Sequence, residues 1–347
     1  MRCTVLLLAL LAALPAAAAE APATKDLGGR LERAEYPYPV TLFPVQSQGQ
    51  SLEMAYMDLK PATPNGHTAV LLHGKNFCGP YWQATAERLR DEGWRVVIPD
   101  QVGFCKSSKP RGYQYSLHQL AANTHALLES LGVQKATVVA HSMGGMVGTR
   151  YALMYPAAVE KLVLVDPIGL EDWKQKGVPW RSVDAWYQSE LKTTYASIKA
   201  YQLKSYYDGT WKPEYDRWAL LQAGQYVGDG LQTSAWAGAL TYDMIYTQPV
   251  VHEFGDLRVP TVLIIGQRDR TAIGKDAAPP EVQAKLGDYP ALGKAAAAAI
   301  PGAKLIPLEG LGHAPMLEAP ERFYKALDEA LNNVGAHPVG DIFSRHR

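Results

Sequence analysis

The sequence predicts an α/β fold: a mostly parallel sheet of eight strands covered by helices, with a helical insertion late in the sheet. Three observations carry this. Short apolar runs without polar alternation recur along the chain, and most of them lead into Gly, His, Asp or Ser. Segments of helical period lie between them, the pattern of strands buried on both faces. One long stretch lacks any strand-like run and holds most of the tryptophans. Composition narrows the function. Of 347 residues, 34 are basic and 34 acidic, giving zero net charge, with 47% hydrophobic and 20% charged. Such a chain can bury a large core, and it lacks the basic stripe that would bind nucleic acid. Three cysteines are too few to build a disulfide scaffold.

Residues 1–19 read as a secretory signal peptide. Arg2 precedes an apolar run from Val5 to Leu14, and Ala17 and Ala19 supply small residues before a cleavage point at Glu20. A run of about ten residues is too short to span a bilayer, so stable membrane insertion is not expected. The expected destination is the periplasm or the exterior. A polar start, Glu20–Glu35, reads as mobile. Val40–Gln46 and Leu52–Leu59 then flank a turn at Gly49-Gln50. The remaining strands are expected at Ala69–Leu72, Arg95–Ile98, Ala136–Ala140, Lys161–Val165, Thr261–Ile265 and Lys304–Leu308. Helices are expected at Tyr81–Glu92, Leu117–Leu131, Met143–Tyr155 and Glu321–Asn332. Ser116 and Gln119 have the spacing of a capping box at the start of the second. Six tryptophans and nine tyrosines fall between Gly169 and Gln248. They form either the insertion's own core or the aromatic underside of a lid. The organisation is therefore core 20–169, helical cap 170–247, core 248–333 and tail 334–347. A smaller insertion runs from Thr271 to Ile300.

The strongest chemical signal is Ala140-His141-Ser142-Met143-Gly144 between an apolar strand and a helix. A small-x-Ser-x-small turn in that context projects a serine Oγ from a strained backbone. Ala140 stands where Gly is usual but still lacks bulk. A serine nucleophile needs a base, an orienting acid and oxyanion donors. His313 lies just past the last strand, at the same sheet edge as Ser142. Asp269 and Asp166 both end strands; Asp269 is preferred because it gives the order Ser142, Asp269, His313. The oxyanion donors are expected to be the N–H groups of Met143 and of Lys75, in the loop His73-Gly74-Lys75-Asn76-Phe77-Cys78-Gly79. The side chains of Lys75, Asn76 and Phe77 are candidate substrate contacts. No His-Glu-x-x-His run and no Gly-x-Gly-x-x-Gly after an early strand occurs, so neither metal nor nucleotide cofactor is implied.

These residues resemble the α/β-hydrolase superfamily, in its lidded group of esterase-, haloperoxidase- and C–C-hydrolase-like proteins. The matching features are His73-Gly74, Asp100 to Ser107, Ala140 to Gly144, Asp269 and His313. The resemblance implies a cap after the sixth strand. Epoxide hydrolases and haloalkane dehalogenases are similar but use an Asp nucleophile, where this chain has Ser142. The chain departs from the pattern at Cys105, where a second Gly is usual, and in the Lys75-to-Cys78 stretch. Since this fold makes the loops of Cys78 and Cys105 neighbours, and export implies an oxidising compartment, a Cys78–Cys105 disulfide is expected; two buried thiols are the alternative. The leading functional expectation is a secreted serine esterase acting on a small apolar or aromatic ester. Lactone, amide or C–C hydrolysis, or a non-catalytic binding protein on the same fold, are the alternatives.

Overall fold

The structure, a computed structural model, describes residues 22–332. The expected signal peptide and tail lie outside the described residues. Eight strands form one sheet in the order β1-β2-β4-β3-β5-β6-β7-β8. These are β1 (Thr41–Ser47), β2 (Gln50–Leu59), β3 (Thr68–Leu72), β4 (Arg95–Pro99), β5 (Ala136–His141), β6 (Val159–Val165), β7 (Thr261–Gly266) and β8 (Lys304–Leu308). β1 and β2 pair antiparallel, as do β2 and β4, and all other pairs are parallel. The β1–β2 turn falls one residue earlier than expected, at Gln48-Gly49. Both residues have positive φ, 52° and 71°, which a two-residue hairpin turn requires for its twist to match the strands.

The helices before the insertion are α1 (Gln83–Asp91), α2 (Leu117–Ser130) and α3 (Met143–Met154). α1 starts later than its apolar period suggests, because Gly79–Trp82 forms a 3-10 turn with Pro80 near its start. Ser116 caps α2 by accepting from the Gln119 N–H, but the Gln119 side chain donates to Asn123 and does not close a capping box. Between β6 and β7 lie α4 (Val183–Glu190), α5 (Tyr195–Ser205), α6 (Asp216–Ala223) and α7 (Leu231–Thr247). Then come α8 (Pro280–Gln283) and α9 (Tyr289–Ala299) before β8, with α10 (Pro315–Glu318) and α11 (Pro320–Asn332) after it.

β5 and β7 are buried along their whole length, and only the first residue of β3 and Glu160 of β6 are less than fully buried. Each Val, Leu or Ile buried there contributes about 1.5–3 kcal/mol of transfer free energy. This apolar rigidity holds the C-terminal strand ends, where the chemistry-bearing loops sit. The chain before β1 is not the mobile lead-in its polarity suggested. Leu31 is fully buried, the Leu27 N–H donates to Gly224 O at 2.9 Å, and Arg30 Nε donates to Lys106 O at 3.1 Å.

Candidate active site

Ser142 sits between β5 and α3 with φ 56° and ψ −124°, a strained conformation for a residue with a Cβ. The surrounding backbone holds it there. Its N–H donates to Val165 O, and its C=O accepts from Gly145 and Ile168. The small residues of the turn follow from close packing. A Cβ on Gly144 would lie 2.6 Å from Leu72 O and 2.7 Å from His73 O. Ala140 is tolerated because Gly148 faces it; a Cβ on Gly148 would lie 2.9 Å from that of Ala140.

The structure brings the three expected residues into one hydrogen-bonded chain. Ser142 Oγ lies 2.9 Å from His313 Nε2, and His313 Nδ1 lies 2.5 Å from Asp269 Oδ2. With Nδ1–H donating to the carboxylate, Nε2 is left to accept from the serine hydroxyl. Asp269 Oδ1 also accepts from the Thr271 N–H at 2.8 Å, and both His313 and Asp269 are fully buried. Asp166, the competing acid, does not reach His313. Its Oδ1 accepts from the Gly266 N–H at 2.7 Å. Burial, and then the nearby Asp269 charge, push its carboxyl well above the usual range.

The loop after β3 passes against the serine. A Cβ on Gly74 would lie 2.9 Å from Ser142 Cβ and 3.3 Å from its Oγ. Among the described residues the Lys75 N–H donates to no backbone acceptor. Met143, the first residue of α3, has no intrahelical acceptor either. His73 holds this loop: its Nδ1–H donates to Gly74 O at 2.8 Å and its Nε2 accepts from Gln101 N at 3.0 Å. Cys78 and Cys105 are joined by a disulfide, with Cα atoms 5.7 Å apart. Cys105 has φ 51°, the left-handed region that explains why Gly is usual there. Asp100 makes a parallel tie, accepting from Gly79 N and Lys106 N. Replacing both cysteines with Ala should lower stability by about 3–4 kcal/mol, since the bond closes a loop of 27 residues. The urea midpoint in non-reducing buffer measures this.

Other side chains shape the site. Tyr206, just past α5, lays its ring 4.2 Å from that of His313, and its carbonyl accepts from the His313 N–H at 3.0 Å. Asn76 donates from Nδ2 to Tyr206 OH at 2.8 Å and accepts from Gln222 Nε2 at 3.2 Å. The insertion therefore rests directly on the histidine and on the loop of Lys75, and Ser142 is only 4% exposed. Phe77 stacks on Tyr81 with centroids 4.7 Å apart and is buried, so its ring serves packing. The Lys75 side chain points into the insertion, with Nζ 3.7 Å over the Tyr242 ring and 3.8 Å from Glu190 Oε2. His141 donates from Nε2 to His313 O at 2.7 Å, leaving Nδ1 to accept from Tyr81 OH at 3.0 Å. Burial, and then the His313 charge, hold its pKa well below the ordinary imidazole value. Its place beside the serine was visible in the sequence; its bond to His313, 172 residues away, was not.

Glu318 also had no signal in the sequence. Its Oε1 accepts from Gly312 N at 2.9 Å, one residue before His313, and Lys212 Nζ donates to its backbone carbonyl. Burial raises its carboxyl from 4.5 to about 7. Between those values the folded chain keeps a proton that an unfolded Glu releases, so this group makes stability fall as pH rises through that window. Glu318→Gln should remove that fall, measured as the change in thermal midpoint from about pH 5 to pH 7.

A family model of the alpha/beta hydrolase fold matches residues 70–279, and the chain belongs to that family. It aligns at TM-score 0.88 and 58% identity with the crystal structure of a "probable hydrolytic enzyme" from Pseudomonas aeruginosa PAO1, over 89% of this chain and 99% of that one. It is 27% identical over 298 residues to Lipase 1 of Psychrobacter immobilis, 83% of each chain. A third similarity, 30% over 138 residues, is to a cis-3-alkyl-4-alkyloxetan-2-one decarboxylase of Xanthomonas campestris pv. campestris. It spans 38% of this chain and 45% of that protein, less than half of either. No helix among the described residues is long and apolar enough to cross a membrane.

Proposed function

We propose that the protein is an exported serine hydrolase that cleaves a carboxylic ester through an acyl-enzyme. The observation that carries this is the 2.9 Å contact of His313 Nε2 with the Oγ of a serine held at φ 56°. In this reading His313 takes the Ser142 proton as Oγ attacks the carbonyl carbon. Asp269 holds the imidazole and stabilises the cation that forms. The Met143 and Lys75 N–H groups receive the oxyanion. When the C–O bond breaks, His313 returns its proton to the departing alcohol. Water then attacks the acyl-enzyme with His313 again as base, restoring the Ser142 hydroxyl and releasing the acid. The insertion acts as a lid, and Tyr206 must move from over His313 to admit substrate.

Trp186, Tyr242, Ala272 and Ile273 line the adjoining cavity, which favours an apolar or aryl group. Export is supported by the pattern of residues 1–19 and by the Cys78–Cys105 bond. Incubation with a fluorophosphonate, followed by mass mapping, should place a single adduct on Ser142; an unlabelled Ser142 would reject the reading. Nitrophenyl esters of graded chain length then rank the acyl group.

A further inference from the structure

A cavity beside the candidate site is not purely apolar. It encloses about 420 Å³ between α4, α5 and α7 on one side and residues 270–276 and Gln283 on the other. A smaller space of about 120 Å³, lined by Asn76, Glu190, Ile198, Tyr201 and Tyr242, adjoins it and shares three of those walls. It leads to Asn76, next to Lys75 in the loop that faces Ser142. On the other flank, Arg270 directly follows Asp269, and its N–H donates to Ser205 O, one residue before Tyr206.

The charges in the large cavity do not balance. Its acids are already matched: Asp276 pairs with Arg181 at 2.7 Å, and Glu190 meets Lys75 and accepts from Tyr226 OH. Lys204, Arg270 and Lys275 also line it, and among the described residues none has a carboxylate within ion-pair distance. Glu171, the acid nearest Lys275, is taken by Lys176 at 2.6 Å and by the Gly287 N–H. Lys275 is held below the ordinary lysine value by burial, then by Lys204, with Arg270 adding to it. Lys204 and Arg270 are exposed and Lys275 is half-buried. Arg270 Nη1 donates to the Gln267 and Asp269 carbonyls, and Lys275 Nζ to Leu286 O. An anion entering the cavity therefore meets three cations that no carboxylate among the described residues neutralises.

We propose that this cavity binds the substrate's non-reacting end, and that this end carries an oxyanion, a carboxylate or a phosphate, held by Lys204, Arg270 and Lys275. The aromatic walls take the apolar chain between that anion and the ester. This deepens the esterase reading and rests on it for the reaction, though not for the binding.

The test compares mono-nitrophenyl adipate with its neutral methyl diester. The wild-type protein should favour the anionic ester by about tenfold in kcat/KM, a preference that shrinks in 0.5–1 M salt, on the order of what screening removes. In the Lys204→Gln/Lys275→Gln double variant the ratio of the two esters should approach one. A general structural defect would lower both esters and leave their ratio unchanged. Equal turnover of the two by the wild type, or an unaltered ratio in the variant, overturns the proposal. Calorimetric titration of Ser142→Ala protein with adipate and with propyl phosphate separates this from the reaction. Binding of either anion that is lost in the lysine variants supports the site even if no ester is cleaved. Absence of both overturns it, and the stronger of the two names the oxyanion.

Discussion

Replacing Ser142 with Ala should lower kcat/KM on a cleavable nitrophenyl ester by about 10⁴- to 10⁶-fold while leaving the protein folded. Only the Oγ hydroxyl group is removed, and the turn that strains residue 142 is built by its neighbours: Val165, Gly145 and Ile168 bond its backbone. His313→Ala should cost about as much in rate, and the double variant no more than either single one, because the two act as a unit. Stability separates them. With the imidazole gone, Asp269 keeps a fully buried charge and one remaining donor, the Thr271 N–H. Breaking a buried pair from one side costs about 3–5 kcal/mol. Ser142→Ala should therefore melt near the wild type and His313→Ala well below it. Turnover retained by Ser142→Ala would remove the serine from the mechanism.

Gly312→Ala should disrupt both fold and rate, since its Cβ would make the shortest contact of any described glycine. A Cβ there would lie 1.8 Å from Tyr206 O and 2.9 Å from Tyr206 C. Both are backbone atoms, so no rotamer change relieves the contact. The same carbonyl accepts from the His313 N–H at 3.0 Å. The methyl must either lift the end of α5 from the site or push the histidine loop away. Overpacking of this kind costs about 1–3 kcal/mol or more. Displacing a catalytic group by about 1 Å costs on the order of 10²-fold in rate. The expected result is a lowered thermal midpoint together with a loss of turnover. Gly112→Ala is the control: nothing lies within 4 Å of its Cβ position, and neither quantity should change. Wild-type rate and stability in Gly312→Ala would show that the insertion does not rest on this loop.

The fold was largely legible because its signals are local. Apolar runs such as Thr261–Ile265 and Lys304–Leu308 match their strands to within a residue, since a strand buried on both faces has no polar period to confuse it. Mismatches arose where a local rule competed. Pro80 opens a 3-10 turn ahead of α1, and positive φ at Gln48 and Gly49 shifts the first hairpin. The polar segment before β1 read as loose because polarity suggests exposure. It is anchored instead by Leu31 and by a backbone bond from Leu27 to Gly224.

By itself, the sequence determined the strand–turn–helix around Ser142, the sheet-edge positions of Asp166, Asp269 and His313, and the family. Each depends on backbone geometry within about ten residues of itself or on strand order. Chain order favoured Asp269 over Asp166 as the partner of the histidine, and tertiary structure supplied the contact itself. Both aspartates end neighbouring strands, and the contact turns on Asp166 Oδ1 bonding Gly266 N while Asp269 Oδ2 comes 2.5 Å from His313. Tertiary structure also decided that Tyr206 covers His313, that Glu318 ties down Gly312, and that three cations without a carboxylate partner among the described residues line one cavity. Those contacts join segments six to more than a hundred residues apart, set by how the insertions pack onto the strand ends. A hydrogen bond or ion pair is decided within an ångström, and a periodic pattern carries no information at that scale across such separations.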